Sequence, residues 1–257
     1  MTASLLPSHD SPVPHTMKTL GIDLAARARN TRACEVDWAP RRPRARVLRT
    51  PAGRVEIDDE PLVALVVDPA YAQVGVDVPF GWPRAFEDLL AGRREGGSYE
   101  RDNEDYRLRR TDRHCIELAR GVPLSVSSNL IAAPAMRWRM LRPQWKEASE
   151  RLHEVYPAAA LGGWGLPRSG YKKPAQCGER QKIFSRLQSD LGLESLDAEL
   201  LLDDSDALDA LIAALVARAI AVGAVVDKPS GWQLDTEREG WIELPTGPLR
   251  RLLDAAT

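Results

Sequence analysis

Two aspartates occupy positions where a carboxylate is unfavourable. Asp23 lies in the apolar run LGIDLA and Asp77 in the similar run VGVDVPFG, each directly after a Gly-Ile or Gly-Val pair. A carboxylate within an apolar strand is costly unless it is paired, protonated or bound to a metal ion. For either residue alone, an aspartate that only opens a turn after its strand is the alternative interpretation. The repeated pattern favours a ligand site, because ligands bind at the strand ends of α/β sheets.

Three further acids belong to the same hypothesis. Glu154 lies in HEVYP, where a glutamate with a partner on an edge strand is the alternative interpretation. Asp206 and Asp209 are three residues apart in an Ala- and Leu-rich segment, so they share one face of the predicted helix. No Lys or Arg occurs between Arg186 and Arg218, so these two aspartates have no counterion nearby in the sequence.

Carboxylates from separate segments would repel one another if the fold brought them together. Divalent cations remove that repulsion, and Mg²⁺ and Mn²⁺ prefer carboxylate oxygens. Two such ions can stabilise the attacking and the leaving oxygen of a phosphoryl displacement. We therefore expect a Mg²⁺ or Mn²⁺ site whose metal-binding and catalytic residues are Asp23, Asp77, Glu154, Asp206 and Asp209.

The composition excludes several classes of protein. The chain has 257 residues, 44% of them hydrophobic, which is too apolar for a disordered protein and sufficient for one sizeable core. Its formal net charge of −2 produces no overall field that would attract nucleic acid or a membrane. The three cysteines, Cys34, Cys115 and Cys177, show neither zinc-ligand spacing nor a disulfide framework, which is typical of a reducing compartment. Arg218 interrupts the longest apolar stretch, 210–226, so we expect a cytoplasmic protein without a membrane span.

The hydrophobic pattern predicts a single α/β domain over 17–257, preceded by a disordered, proline-rich leader at 1–16. It first predicts strands near 19–25, 32–38 and 44–48, a helix near 58–69 and a fourth strand near 73–79. It then predicts a largely helical insertion around 84–150, a short strand at 152–157, an amphipathic helix at 176–191, a helix at 205–222 capped by Asp204 or Ser205, and a terminal hairpin at 231–244.

Seven motifs occur in one order from about Leu20 to Pro245: GIDLA, VGVDVPFGWP, RRTD with a downstream SS, HEVYP, YKK, DDSDALDALIAAL and EGWIELP. In this order the sequence resembles the uncharacterised bacterial and archaeal family of predicted nucleases with a ribonuclease H-like fold, domain of unknown function 429. The resemblance implies an α/β fold with a ribonuclease H-like mixed sheet, in which three antiparallel strands are followed by parallel ones and helices flank the sheet.

The resemblance also implies where the acids lie. It places Asp23 on the first strand, Asp77 on the fourth, Glu154 near the fifth, and Asp206 or Asp209 on the closing helix. The activity that it implies is that of a nuclease.

Six polar residues are candidates for substrate binding. Arg110 and Asp112 belong to the RRTD motif of a basic predicted helix, where solvated ion pairs are the alternative. An arginine can bind a phosphate with two parallel hydrogen bonds. The serines either present hydroxyls to a phosphate or form a turn, and the lysines follow a glycine-rich stretch from which they could reach an anion. These other candidates are Ser127, Ser128, Lys172 and Lys173.

The leading hypothesis is a metal-dependent nuclease or phosphodiesterase, a hydrolase that activates water with two divalent cations. Its expected partner is nucleic acid or another phosphodiester, and a homodimer is compatible with the sequence. A phosphotransferase or ATPase of the actin-like fold group is an alternative, although the sequence contains no P-loop. A non-catalytic binding or regulatory module on the same fold is a further alternative.

Overall fold

Within the described residues, a six-stranded mixed sheet forms the centre of the protein. The structure is a computed structural model that describes residues 17–38, 42–94, 97–173 and 177–255, so the predicted leader at 1–16 lies outside the described residues. The strands are β1 (Lys18–Asp23), β2 (Arg32–Asp37), β3 (Arg44–Val47), β4 (Tyr71–Asp77), β5 (Leu152–Val155) and β6 (Glu194–Ser195). Their order across the sheet is β5-β4-β1-β2-β3-β6.

The strand directions confirm the predicted mixed sheet. β1, β2 and β3 pair antiparallel in sequence order. β4 then pairs parallel to β1, β5 pairs parallel to β4, and β6 pairs parallel to β3 at the other edge. Parallel neighbours need a crossover connection, and helices supply it here.

Helices flank the sheet and fill most of the stretch 84–151, where a helical insertion is predicted. The helices are α1 (Asp59–Val67), α2 (Arg84–Leu90), α3 (Tyr99–Arg107), α4 (Arg110–Glu117), α5 (Ala132–Leu141), α6 (Pro157–Gly163), α7 (Cys177–Leu191), α8 (Ala198–Asp203), α9 (Ser205–Ala221) and α10 (Gln233–Glu239). Short 3₁₀ helices cover Ala28–Asn30, Arg142–Arg151 and Leu249–Leu253. None of the helices in the described part of the chain is long and apolar enough to cross a membrane.

The two faces of β1 contact different layers. Leu20 and Ile22 are fully buried in a core that they share with α1, α5 and the 3₁₀ helix at 142–151. Thr19 points to the opposite face, where its hydroxyl donates a hydrogen bond of 2.9 Å to the carbonyl of Ala214 in α9. Because side chains alternate along a strand, Asp23 leaves β1 on the α9 face.

Two glycines allow α9 to lie directly on the sheet. A Cβ atom at Gly21 would overlap the backbone of Ala210 and Ala214, and one at Gly75 would overlap the carbonyl oxygen of Ala213. Each glycine stands two residues before a strand-end aspartate, on the same face of its strand. The close contact therefore brings the first turns of α9 to the ends of β1 and β4.

The predicted hairpin at 231–244 is wrong. The structure has α10 there, which ends at Gly240 with a φ of +89°. Residues 233–239 contain several good helix formers and lack the apolar alternation of a strand. Beyond the helix, Ile242 forms a single parallel bridge with Glu154 of β5 instead of pairing with a neighbouring hairpin strand.

Candidate functional site

Asp23 and Asp77 are paired in register at the carboxyl ends of β1 and β4. Neighbouring strands lie roughly 4.8 Å apart, so the two carboxyl groups are neighbours. Both leave the sheet on the α9 face, because Gly21 and Gly75 two residues earlier contact that helix. The structure thus brings together the two aspartates that the sequence singled out first.

Asp209 adds a third carboxylate from the second turn of α9. It is fully buried, and the hydroxyl of Tyr171 donates a hydrogen bond of 2.8 Å to its Oδ1. Lys172 Nζ lies 2.6 Å from its Oδ2, although the Lys172 side chain is 58% exposed. A surface lysine therefore supplies positive charge to a buried acid.

Asp23, Asp77 and Asp209 all have a raised pKa. Burial raises the pKa of Asp23 well above its ordinary value, and the negative charges of Asp77 and Asp209 raise it further. Burial raises the pKa of Asp77 to about 7, although the positive charge of Lys172 opposes the shift. Burial also raises the pKa of Asp209, against the charge of Lys172 and the hydrogen bond from Tyr171. Near neutral pH the cluster is therefore partly protonated, and an entering cation would displace those protons.

Asp206 stands beside this cluster on the first turn of α9. Partial burial raises its pKa, and the charge of Asp204 adds to that effect. Asp204 itself is the N-cap of α9, where its carboxylate accepts hydrogen bonds from the backbone N–H groups of Asp206 and Ala207. It also pairs with Arg32 of β2 at 2.7 Å. Of the two predicted caps, the structure uses Asp204.

Glu154 occupies a different position from the other predicted acids. Its register partner on β4 is Val76 and not Asp77, so its side chain leaves the sheet on the opposite face. Arg109 holds it with two contacts, from Nη2 to Oε1 at 2.7 Å and from Nη1 to Oε2 at 3.0 Å. The backbone N–H of Phe80 donates a further hydrogen bond of 3.0 Å to Oε2. Glu154 is therefore a neutralised carboxylate that ties β5 to the N-terminus of α4.

A cavity of about 500 Å³ opens at the carboxylates. Asp23 and Asp77 line one part of it, together with Glu154 and Tyr156. Burial raises the pKa of the Tyr156 hydroxyl, and the negative charge of Asp77 contributes to the shift. A cavity of this size that combines apolar walls with a few polar groups is typical of a small-molecule site.

The predicted substrate-binding residues divide into two groups. Lys172 and Lys173 line the cavity. The remaining candidates lie elsewhere among the described residues. Asp112 is fully buried against Arg109, and the Arg110 side chain pairs with Asp235. The Ser127 hydroxyl donates a hydrogen bond to the carbonyl of Tyr106. Ser128 is exposed and is not part of the cavity lining.

Sequence reasoning missed Arg109, Tyr171 and Arg168. Arg109 precedes Asp112 by three residues, so an ion pair within the RRTD motif was a readable signal. Tyr171 is the first residue of the YKK motif, but nothing in the sequence connects its hydroxyl to Asp209. Arg168 lines the cavity and donates a hydrogen bond of 2.9 Å to the carbonyl of Ala119.

The carboxylates are suited to a hard divalent cation by their chemistry. Among the described residues, no group of three or more His, Cys, Asp or Glu side chains is arranged to hold a metal ion. In this geometry Lys172 supplies the positive charge at Asp209. Asp23, Asp77 and Asp209 offer oxygen donors alone, which are the ligands that Mg²⁺ and Mn²⁺ prefer. A cation bound at Asp209 would require the Lys172 ammonium group to move away.

Comparison with known proteins gives one match at the level of the family. Neither a curated protein nor a solved structure matches the chain. A family described as a protein of unknown function, DUF429, matches residues 21–232, which include the second half of β1 and all of β4, β5 and α9. This is most of the 257 residues. The chain belongs to the DUF429 family.

Proposed function

We propose that this protein is a metal-dependent phosphodiesterase in which Asp23, Asp77 and Asp209 hold a Mg²⁺ or Mn²⁺ ion, with Asp206 beside them. The observation that carries the proposal is the register pairing of Asp23 with Asp77 at one end of a cavity. Buried acids that raise one another's pKa cannot all ionise without a compensating charge. Perturbed acids of this kind in a cavity are candidates for a functional site.

A ribonuclease H-like fold is the second part of the proposal. The three antiparallel strands, followed by parallel β4 and β5, support it, as do aspartates at the ends of the first and fourth strands. The long helix α9, which carries Asp206 and Asp209 at its start, supports it further. The same arrangement supports nuclease-type chemistry, the hydrolysis of a phosphodiester bond.

The residues of this chain have separable tasks in that reaction. A bound ion would supply a water of lowered pKa and would polarise a phosphoryl oxygen. Lys172, once released from Asp209, would contact the phosphate from the rim of the cavity. Arg109 holds Glu154 in place with two contacts; burial raises the pKa of Glu154, and the charge and hydrogen bonds of Arg109 oppose that shift. In the balanced reaction a water oxygen bonds to phosphorus, the P–O bond to the leaving alcohol breaks and that oxygen takes a proton. Diester and water thus give monoester and alcohol.

The test is a comparison of three proteins with Mn²⁺ and phosphodiester substrates. Asp23→Asn should lower kcat/KM by at least about 100-fold, because metal-bound charge stabilisation supplies several kcal/mol. Asp203→Asn is the control, since Asp203 is an exposed acid at the end of α8, next to the start of α9. Circular dichroism and thermal melting should show that both variants fold. Absence of hydrolysis in the wild type, or equal rates in wild type and Asp23→Asn, would overturn the proposal.

A further inference from the structure

The cavity beside the carboxylates is polar in one part and largely apolar in the rest. One part is formed by Asp23, Asp77 and the neighbouring Tyr156. The remaining wall is largely apolar, and its side chains come from the end of β1, the turn after β4 and the segment 123–134. These apolar lining residues are Leu24, Pro79, Pro123, Leu124, Ile131 and Pro134.

Among the described residues, four lysines and arginines line this cavity, and two of them already pair with carboxylates of the protein. Arg109 is only 2% exposed and is committed to Glu154 and Asp112. Lys172 pairs with Asp209 until a bound ion displaces it. Arg168 and Lys173 also line the cavity, and in the described part of the chain neither forms an ion pair with a carboxylate. Both lie in the short loop between α6 and α7, so they can contact only one part of a bound ligand.

This distribution of charge argues against a polymeric substrate. A nucleic-acid strand carries one phosphate per nucleotide, and its binding depends on several Lys or Arg contacts to successive phosphates. Arg168 and Lys173, together with Lys172 once a bound ion releases it from Asp209, all come from the loop at 168–173 and match one or two phosphate groups. The apolar wall, by contrast, matches a substituent that gains free energy when it leaves water.

We propose that the substrate is a small phosphodiester with an apolar or aromatic substituent, of the size of a nucleotide or dinucleotide. Its phosphate would lie at the ion that Asp23 and Asp77 hold, on the side of Arg168 and Lys173, and its substituent packs against Leu124 and Pro134. The volume of about 500 Å³ is within the range of sites for such molecules. This inference rests on the proposed phosphodiesterase activity, which supplies the bond that is cleaved.

The first experiment compares substrates in the presence of Mn²⁺. Bis(4-nitrophenyl) phosphate and a dinucleotide represent the small diesters, and long single-stranded and duplex DNA and RNA represent the polymers. We expect kcat/KM per bond to be at least about tenfold higher for the dinucleotide than for the polymers, which share its bases and its leaving group, because the cations of the cavity match only one or two phosphates.

The second experiment places a charge on the apolar wall. Leu124 lines the cavity and is 55% exposed, so Leu124→Glu should fold and should lower kcat/KM for bis(4-nitrophenyl) phosphate about tenfold. Leu130→Glu is the matched control, because Leu130 is 93% exposed and is not part of the cavity lining. Neither change should alter the Mn²⁺ affinity measured by calorimetry.

The outcomes separate the two proposals. Faster cleavage of a polymer than of every small diester would overturn the substrate class and leave the phosphodiesterase intact. Equal loss of activity in Leu124→Glu and Leu130→Glu, or no loss in either, would also overturn it. No hydrolysis of any diester, together with Mn²⁺ binding that is unaffected by Asp23→Asn, would overturn the proposed function and this inference with it.

Discussion

Lys172 Nζ lies 2.6 Å from Asp209 Oδ2, so a lysine from a surface loop neutralises an acid at the buried start of α9. The charges of Asp209 and Asp77 raise the pKa of Lys172, although burial of the ammonium group opposes the shift. Lys172 is therefore firmly charged where it meets Asp209. It occupies a carboxylate oxygen that a divalent ion would need.

Replacement of Lys172 should have opposite effects on stability and on metal affinity. Lys172→Met leaves Asp209 without its cation, and we expect a loss of about 1–3 kcal/mol in the free energy of unfolding of the metal-free protein. The same change removes a competitor, so the Mn²⁺ dissociation constant measured by calorimetry should fall. Lys173→Met is the control, because Lys173 lines the same cavity without pairing with Asp209. A weaker Mn²⁺ affinity in Lys172→Met would contradict this prediction.

Asp77 should make the metal-free protein less stable as the pH rises. Its pKa is about 7 in the folded protein, against an ordinary value of 3.8. Between these values the folded state holds more protons than the unfolded state, so the free energy of unfolding falls with increasing pH. Urea denaturation with a chelator at about pH 5 and about pH 8 measures this difference, which should shrink in Asp77→Asn. Equal pH dependence in the two proteins would refute the assignment to Asp77.

Added Mn²⁺ should reverse that pH dependence. Metal ligands must be deprotonated, so binding competes with the protons held by Asp23 and Asp77. We expect Mn²⁺ to raise the Tm of the wild type more at about pH 8 than at about pH 5. Asp23→Asn should lose most of the increase at the higher pH. A Tm increase that is the same at both pH values would argue against binding at these acids.

Gly21 should tolerate no side chain. In Gly21→Ala the new methyl group would overlap the α9 backbone at Ala210 and Ala214, which has to move away from the sheet. We expect a loss of at least about 1–3 kcal/mol in the free energy of unfolding, since overpacking against backbone cannot be relieved by a rotamer change. Gly178→Ala in α7 is the control, because nothing lies within 4 Å of the added Cβ. That change should leave stability unchanged or raise it, as alanine favours a helix.

Arg109 should be essential for the fold around β5. Arg109→Met leaves the buried carboxylates of Glu154 and Asp112 without their cation, and we expect destabilisation by about 3–5 kcal/mol in chemical denaturation. Arg109→Lys should recover only part of it, because an ammonium group cannot form the paired contacts. Arg107→Met replaces an exposed arginine near the same helix and should stay within about 0.5 kcal/mol of the wild type. Equal stability of Arg109→Met and Arg107→Met would show that the network contributes nothing.

The sequence by itself determined the main elements and the central acids. The period of apolar residues predicted β1 to β5, α1 and α9 to within a few residues. The repeated Gly-x-Asp pattern singled out Asp23 and Asp77, which the sheet then paired. These features are readable because alternation and helical periodicity are local properties of the chain. The hairpin predicted at 231–244 failed where such a pattern is absent, and α10 formed instead.

Only the tertiary structure decided which charges neutralise one another. Arg109 meets Glu154 across 45 residues of sequence, and Tyr171 meets Asp209 across 38. Such pairs depend on how strands and helices pack, and no local spacing encodes them. The register of β5 likewise sends Glu154 to the face opposite Asp77, since one residue of register reverses every side chain. Residue types therefore predicted which acids matter. Packing determined that Asp23, Asp77 and Asp209 form one cluster and that Glu154 pairs with Arg109.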